Sequence, residues 1–133
     1  MQIIIYTNSN GGVSVTVPTG EISVQAVLEK DCPDGAIIVD DSVLPQGSDA
    51  EFFDAWRLNE NVVTVDFASA KADKLEKYNI FAVQVAQKRQ LNVLSGIDNE
   101  IDDATWIAKL TADRKAIFEA TTTDELIAIV NPK

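Results

Sequence analysis

The chain has 133 residues, 46% hydrophobic and 24% charged, which is the composition of one globular domain or of two small ones. Its net charge of −10 makes nucleic acids and anionic membranes poor partners, because like charges repel. The absence of histidine excludes Ser-His-Asp triads, Cys-His dyads and histidine-bearing zinc sites, and the single cysteine, Cys32, excludes an internal disulfide.

The sequence has no pattern typical of a membrane span or of an export signal. No apolar run approaches the roughly 20 residues that cross a bilayer. The apolar start, residues 1–5, has neither a basic flank nor a small-residue cleavage site. A free cysteine without an export signal favours synthesis in a reducing cytoplasm. Synthesis there is compatible with a final location in a particle that is assembled in the cytoplasm.

The first half of the chain alternates short strand patterns with turns. Residues 2–6 and 13–17 are rich in β-branched side chains and flank an Asn- and Gly-rich segment, residues 8–12, which is typical of a hairpin. Ser23 begins a short helical pattern that must stop before a proline. The continuous apolar run that follows, at residues 36–39, predicts a central strand.

A second short helix and a second hairpin are predicted next. Ser48 and Glu51 have the spacing of a capping box, in which a hydroxyl and a carboxylate satisfy free backbone donors. They would open a helix rich in aromatic residues. Residues 56–58 and 62–65 then flank an Asn-Glu-Asn turn and predict a hairpin.

The second half of the chain has a helical pattern. Residues 71–95 contain no Gly or Pro and predict one long helix, with Gly96 as its C-terminal cap. Asp102 or Asp103 caps a second helix, and Thr122 opens a short last one. A long helix, a loop and a returning helix make an antiparallel hairpin.

The two halves also differ in charge, which favours two sub-domains. Residues 1–67 hold two basic and eleven acidic residues, a net charge of −9, whereas residues 68–133 hold nine basic and ten acidic ones, a net charge of −1. The pattern predicts an α+β fold. A small N-terminal β-sheet with two short helices would occupy residues 1–67, and a C-terminal antiparallel helical hairpin would occupy residues 68–133.

No set of residues has the spacing of a catalytic, cofactor or metal site. None of the six glycines precedes a lysine, so neither nucleotide-binding motif is present. The acidic string at residues 98–103 lacks the glycine and the bidentate glutamate that a calcium loop requires. Asp40 and Asp41 follow a predicted strand, but no second titratable group is evident that would pair with them in acid–base catalysis. Cys32 has mostly acidic neighbours, which do not favour a reactive thiolate. We therefore expect a protein that is not an enzyme and that holds no cofactor or metal.

Two features of the long helix indicate contact with other proteins. Its basic stripe is either a docking surface for something acidic, such as the first half of this or a neighbouring chain, or a solvated face with i,i+4 ion pairs. Residues 80–86 are apolar on nearly all sides, although a helix in a two-helix hairpin buries only one stripe. The candidate interface residues are therefore Ile80, Phe81, Val83, Val85, Lys71, Lys74 and Lys77.

Several segments carry a family resemblance, in a consistent order along the chain. They are residues 3–8, 11–15, 28–33, 38–45 and 53–56, with residues 86–89, Leu94, Trp106 and residues 120–126 in the second half. These segments resemble a family of small proteins encoded among the structural and tail genes of tailed bacteriophages. The second half is also similar to the helical C-terminal part of phage tail-fibre assembly proteins. The resemblance implies other phage structural proteins as partners and carries over no catalytic residue.

Together these features predict a non-enzymatic phage structural protein. It would be a minor tail or tail-tip component of the virion that acts by protein–protein contact, as a homo-oligomer or docked on a larger tail protein. It would occur in the host cytoplasm during assembly and in the virion tail afterwards.

Three alternatives stay open at this point. The first is a tail or tail-fibre assembly chaperone that is absent from the mature virion. The second, motivated by the charge of −9 on the first half, is an acidic inhibitor of a host DNA-binding protein. The third is an enzyme that uses Asp40, Asp41 or Asp98.

Overall fold

The computed structural model describes residues 1–133 and contains five strands and four α-helices. It consists of two compact units, Met1–Ala70 and Lys71–Lys133, which we call the acidic unit and the helical unit. Small antiparallel sheets make up the acidic unit and long helices follow, so the predicted α+β class is confirmed. The boundary between the units lies inside the long helix, between Ala70 and Lys71, whereas the charge break predicts a boundary after residue 67.

Three strands form the first sheet: β1 (Gln2–Thr7), β2 (Val13–Thr16) and β3 (Ile37–Asp40). Their order is β2-β1-β3, and both outer strands run antiparallel to β1. The prediction that residues 36–39 form the central strand is therefore wrong. Residues 3–5 of β1, three consecutive isoleucines, are buried on both faces of the sheet, whereas every residue of β3 is at least partly exposed.

The β1–β2 hairpin turns at the Asn- and Gly-rich segment, as predicted. The Asn8 side-chain oxygen accepts hydrogen bonds from the backbone N–H groups of Asn10 and Gly12, at 3.0 and 3.1 Å. Gly11 has a φ of 82°, a left-handed conformation that glycine adopts without steric penalty. One asparagine and one glycine therefore define this turn.

Helix α1 (Val24–Asp31) begins where the sequence predicts. The Ser23 hydroxyl caps it by accepting a hydrogen bond from the backbone N–H of Ala26 at 3.1 Å. Val27 is the buried residue of the helix. The helix ends at Cys32, whose backbone is extended, as is usual for a residue before proline.

The second predicted short helix, opened by a capping box before the aromatic residues, is not an α-helix. Gly47–Glu51 and Phe53–Ala55 form 3₁₀ turns, and Trp56 already belongs to a strand. The Trp56 indole N–H donates a hydrogen bond to the carbonyl of Asp49 at 3.0 Å, which ties the ring to the preceding turn. Burial of the indole in the sheet core therefore overrides the local helical pattern.

Strands β4 (Trp56–Asn59) and β5 (Val62–Val65) form the predicted second hairpin. Glu60 in its turn has a φ of 55°, which is uncommon for a residue other than glycine. Both sheets of the acidic unit contribute to one apolar core. Its buried members are Ile3, Ile5, Val13, Trp56 and Val63.

Helix α2 (Phe67–Leu94) begins about one turn earlier than predicted and ends as predicted. Gly96 follows it with a φ of 71°. The backbone N–H of Gly96 donates to the carbonyl of Val93 at 3.2 Å, and that of Ile97 donates to the carbonyl of Asn92 at 2.8 Å. These two bonds satisfy carbonyl groups at the end of the helix, so Gly96 acts as its C-terminal cap.

Helices α3 (Asp103–Glu119) and α4 (Thr123–Ala128) complete the chain. The Asp102 carboxylate caps α3 by accepting a backbone N–H of the first turn at 2.7 Å. The Thr122 hydroxyl caps α4 by accepting the backbone N–H of Glu125 at 3.2 Å. Both predicted N-terminal caps are confirmed, and they are the positions where a short polar side chain satisfies a free helix donor.

Candidate interaction surface

The helical unit is built on an antiparallel pair of helices, α2 and α3. Successive positions along α2 contact positions of decreasing residue number on α3, which means that the two helices run in opposite directions. The predicted helical hairpin therefore forms. Three polar contacts show this order: Lys71 to the carbonyl of Phe118 at 2.9 Å, Tyr78 to Asp113 at 2.6 Å, and Arg89 to Asp103 at 2.6 Å.

A buried tyrosine fixes the middle of the pair. Tyr78 is 0% exposed, and its hydroxyl donates to Asp113, whose same oxygen also accepts from the Lys109 ammonium group at 2.6 Å. Burial raises the pKa of Tyr78, and the hydrogen bond to Asp113 raises it further. Burial alone would also raise the pKa of Asp113, but the hydrogen bonds from Lys109 and Tyr78 outweigh this effect and lower it. A neutral hydroxyl thus donates to a charged carboxylate at neutral pH, and the contact joins the two helices.

A cleft of about 420 Å³ lies at the loop end of the pair. On its wall, the Arg89 guanidinium group lies over the Trp106 ring, 5.0 Å from the ring centroid, in a cation–π contact. The same group donates to the carbonyl of Ile101 at 3.0 Å and to the carboxylate of Asp103 at 2.6 Å. Arg89 therefore holds the interhelical loop and the start of α3 against α2.

The predicted basic stripe is divided between internal contacts and the surface. Lys71 donates to a carbonyl at the end of α3. Lys74 is only 9% exposed and donates to the carbonyl of Ile129 and to the side chain of Asn131. Lys77 is exposed. Two of the three predicted interface lysines therefore join the C-terminal segments to α2, and the third faces solvent.

The predicted apolar interface residues lie mostly at the surface. Ile80 is 50% exposed, Phe81 41% and Val83 56%, while Val85 is partly buried. Further apolar side chains, which were not predicted, are exposed on the rest of α2, on the loop and on α3. They are Leu91, Val93, Leu94, Ile97, Ile101, Ile107 and Phe118.

Between Ile80 and Leu94, five exposed residues share one side of α2, which we call the outer face: Ile80, Val83, Gln87, Leu91 and Leu94. At about 3.6 residues per turn, they lie on the side of the helix opposite the tyrosine that contacts α3. Residues that are spaced three and four positions apart share one face of a helix. This spacing is visible in the sequence and could have identified the outer face before the structure was known. A groove along the earlier part of α2 reaches the first two members of the outer face.

The acids considered for catalysis have local structural roles or lie in solvent. Asp40 accepts a hydrogen bond from the backbone N–H of Ser42 at 3.0 Å, and bonds from Ser42 and the N-terminal ammonium group lower the pKa of Asp40 to about 2. Asp41 contacts the same ammonium group at 3.1 Å. Asp98 is exposed in the loop before α3. Asp40 therefore remains ionised at neutral pH, which does not suit a general acid.

Other site types find no geometric support in the structure. No group of three or more acidic, cysteine or histidine side chains is arranged to hold a metal ion. Within the acidic string, Asp102 caps α3 and Asp103 pairs with Arg89. Cys32 is a free thiol at the end of α1. None of the helices combines the length and the hydrophobicity that a membrane crossing requires.

Comparisons of the chain with protein-family models, with curated proteins and with solved structures find no match. Function must therefore be inferred from the molecule itself. Its strongest unexplained feature is the apolar surface of the helical unit.

Proposed function

We propose that this chain is a non-enzymatic protein that acts by protein–protein contact through its helical unit. The observation that carries the proposal is the distribution of exposed large apolar side chains, of which twelve of seventeen lie in residues 71–133. Monomeric proteins rarely expose contiguous apolar patches larger than a few hundred Å², and larger patches are typical of association sites.

The acidic unit differs from the helical unit in its core and in its charge, and this difference supports contact through the helical unit. Its two sheets bury a common core that includes Trp56, and its net charge of −9 favours solubility. The helical unit is nearly neutral at −1 and buries few large side chains, chiefly Tyr78, Ile117 and Leu126. Contact with a partner protein would remove the remaining apolar surface from water.

We further propose that the partners are phage structural proteins and that the chain is a minor tail or tail-tip component of the virion. The support is the resemblance of its segments to small proteins encoded among phage tail genes. In this setting the chain is made in the host cytoplasm and is retained in the tail of the finished particle.

Mass spectrometry of purified virions tests this role against the assembly-chaperone alternative. A virion component should be present at a fixed ratio to the major tail protein after repeated gradient purification. A chaperone should be bound to tail or fibre proteins in the lysate but absent from particles. A chain found neither in particles nor with tail proteins would contradict both roles.

A matched pair of variants tests whether the helical unit makes the contact. Val83 on α2 and Val17 in the acidic unit are 56% and 55% exposed, so glutamate at either position enters water without disturbing a core. Glutamate also forms helices well, which preserves α2. We expect Val83→Glu to reduce recovery of the chain with its partner protein and Val17→Glu to leave it unchanged. Equal recovery of both variants would exclude this surface.

The charge of −9 on the acidic unit favours a second candidate function, inhibition of a host DNA-binding protein by mimicry of nucleic acid. Such a complex should form at equal stoichiometry and weaken steeply as salt is added, because exposed charges are screened. Affinity capture from infected cells at low salt would return the host protein. Capture of tail proteins alone would eliminate this function.

A further inference from the structure

The outer face of α2 has a spacing that reads the same in both directions. The steps between its five members are three, four, four and three residues, centred on Gln87. Two-fold interfaces bring the same patch of both copies together, so such a patch must be complementary to itself. A symmetric spacing on an exposed face meets this requirement for two helices that run in opposite directions.

Resting on the proposed function, we infer that the outer face binds the outer face of a second copy of this chain, with the two α2 helices antiparallel. In this arrangement Ile80 meets Leu94 of the second copy. Val83 meets Leu91 of the second copy. The two Gln87 side chains meet at the two-fold axis, where each amide can both donate and accept a hydrogen bond. One polar pair in an apolar helix interface fixes register, as buried polar residues do in coiled coils.

Charge favours a second copy over a charged partner at this face. The only charged residues between Ile80 and Leu94 are Lys88 and Arg89, and Arg89 is turned toward Asp103 of its own chain. The five members of the outer face are uncharged, so a nucleic acid or an acidic peptide would find no cation among them. The helical unit carries a net charge of only −1, and two copies that meet there repel weakly.

The direction of the pair follows from the chain order. Residues 1–67, with a net charge of −9, precede almost the whole of α2. A parallel pair would place the N-termini of both α2 helices, where the acidic segments join them, at the same end. An antiparallel pair centred on Gln87 places them at opposite ends, about 60 Å apart, because each α2 begins about 30 Å before the axis. This distance is several Debye lengths at physiological salt. Charge repulsion therefore disfavours the parallel pair.

The available area indicates a weak dimer. From Ile80 to Leu94 the face is about 21 Å long and about 10 Å wide, a flat strip of roughly 200 Å² on each copy. The groove lengthens the strip to about 33 Å, because it begins at Ala72, and this added part carries the exposed carboxylate of Glu76. Interdigitating side chains bury more than the flat strip, but the interface stays below the roughly 800 Å² per partner of a standard stable complex. The dimer should therefore depend on concentration, as a reversible assembly contact would.

Disulfide trapping tests the pairing directly. In a Cys32→Ser background, Gln87→Cys should give a covalent dimer under mild oxidation, because the two positions meet at the axis within the separation that a disulfide requires. Gln87 is exposed, so its replacement should leave the fold intact. Thr111→Cys, at an exposed position of α3, is the matched control. A Gln87→Cys dimer yield no higher than that of Thr111→Cys would overturn the inference.

Two more variants separate the antiparallel pair from the parallel one. A mixture of Ile80→Cys and Leu94→Cys chains should cross-link mainly as mixed dimers, whereas each chain alone should give at least tenfold less dimer. Efficient cross-linking of Ile80→Cys with itself would show a parallel pair and overturn the inference.

Light scattering across a concentration series completes the test. The wild-type mass should rise toward that of two chains between about 1 and about 200 µM, and Val83→Glu should remain monomeric with an unchanged circular dichroism spectrum. A strict monomer over this range would overturn the dimer but leave binding to phage tail proteins intact. A confirmed dimer that is absent from both virions and tail complexes would instead contradict the proposed function.

Discussion

Replacing Tyr78 by phenylalanine tests how far one polar contact holds the helical hairpin together. The change removes a hydroxyl and keeps the enclosed ring, so it creates almost no cavity. The lost hydrogen bond joins α2 to α3 and ends on the carboxylate of Asp113 at 2.6 Å. Hydrogen bonds to charged groups contribute about 1.5–3 kcal/mol to stability.

The expected loss lies at the lower end of this range. Asp113 retains the hydrogen bond from Lys109 at 2.6 Å, so the variant does not leave its carboxylate without a partner. Phenylalanine itself brings no polar atom into the interior. We therefore expect the free energy of unfolding at neutral pH to fall by about 1.5 kcal/mol.

Urea denaturation followed by far-ultraviolet circular dichroism measures this loss, because the signal reports mainly the helices. The other tyrosine of the chain, Tyr6 in β1, supplies the control. Tyr6→Phe should change the free energy of unfolding by no more than about 0.5 kcal/mol.

The pH dependence of the loss has a defined sign. The pKa of Asp113 is lowered in the folded chain from its ordinary 3.8. The stability that this carboxylate contributes is therefore fully present above about pH 3.8 and is lost as the pH falls through the lower folded value. The difference between the wild type and Tyr78→Phe should shrink over the same acid range. Equal midpoints for Tyr78→Phe and Tyr6→Phe at neutral pH, or a difference that persists unchanged in acid, would refute the reasoning.

Three further substitutions probe the caps and the core of the helical unit by the same urea titration. Gly96→Ala should lower the free energy of unfolding by about 1–2 kcal/mol, because a φ of 71° is strained for alanine. Gly12→Ala is the control and should lower it less, because the φ of Gly12 is not in the left-handed region. Thr122→Ala should lower the free energy of unfolding by about 1 kcal/mol through loss of the α4 cap. Thr122→Ser keeps a capping hydroxyl and should lose much less. Leu126→Ala should cost about 2–5 kcal/mol, since this side chain is fully buried. An equal loss for Ile127→Ala, an exposed neighbour, would contradict the burial assigned to Leu126.

The features that the sequence predicted correctly depend on a few neighbouring residues. A helix N-terminus needs one short polar side chain in place, and Ser23, Asp102 and Thr122 each supply one. The end of α2 needs one residue that accepts a positive φ, and Gly96 supplies it. These requirements can be recognised without knowledge of the tertiary structure.

The wrong predictions concern features that depend on distant contacts. Residues 36–39 and residues 3–5 are both apolar runs of strand length, and only their pairing decides which lies at the centre. Likewise, the helical pattern before Trp56 is local, whereas the indole is fixed by the sheet core that it joins. Apolar content thus predicted correctly that residues 36–39 form a strand but could not predict the neighbours of that strand, and before Trp56 it predicted a helix where the structure has 3₁₀ turns.

The candidate surface shows the same limit. The sequence indicated that residues 80–86 carry more apolar surface than a hairpin can bury, and Ile80, Phe81 and Val83 are exposed. It did not indicate that Lys71 and Lys74 donate to carbonyls far along the chain. A lysine stripe on a helix has the same spacing whether it faces solvent or a neighbouring segment.

The exposure of α2 follows from how few partners a helical hairpin offers. Each helix of a pair buries one stripe against the other, and α4 with the C-terminal segment covers part of one more side. The outer face therefore has no covering element within its own unit, whatever residues occupy it. A chain under no constraint to associate could place polar residues there at little cost, because surface positions tolerate substitution. Four of its five members are instead large and apolar, which is the pattern expected if the missing covering element is supplied by another chain.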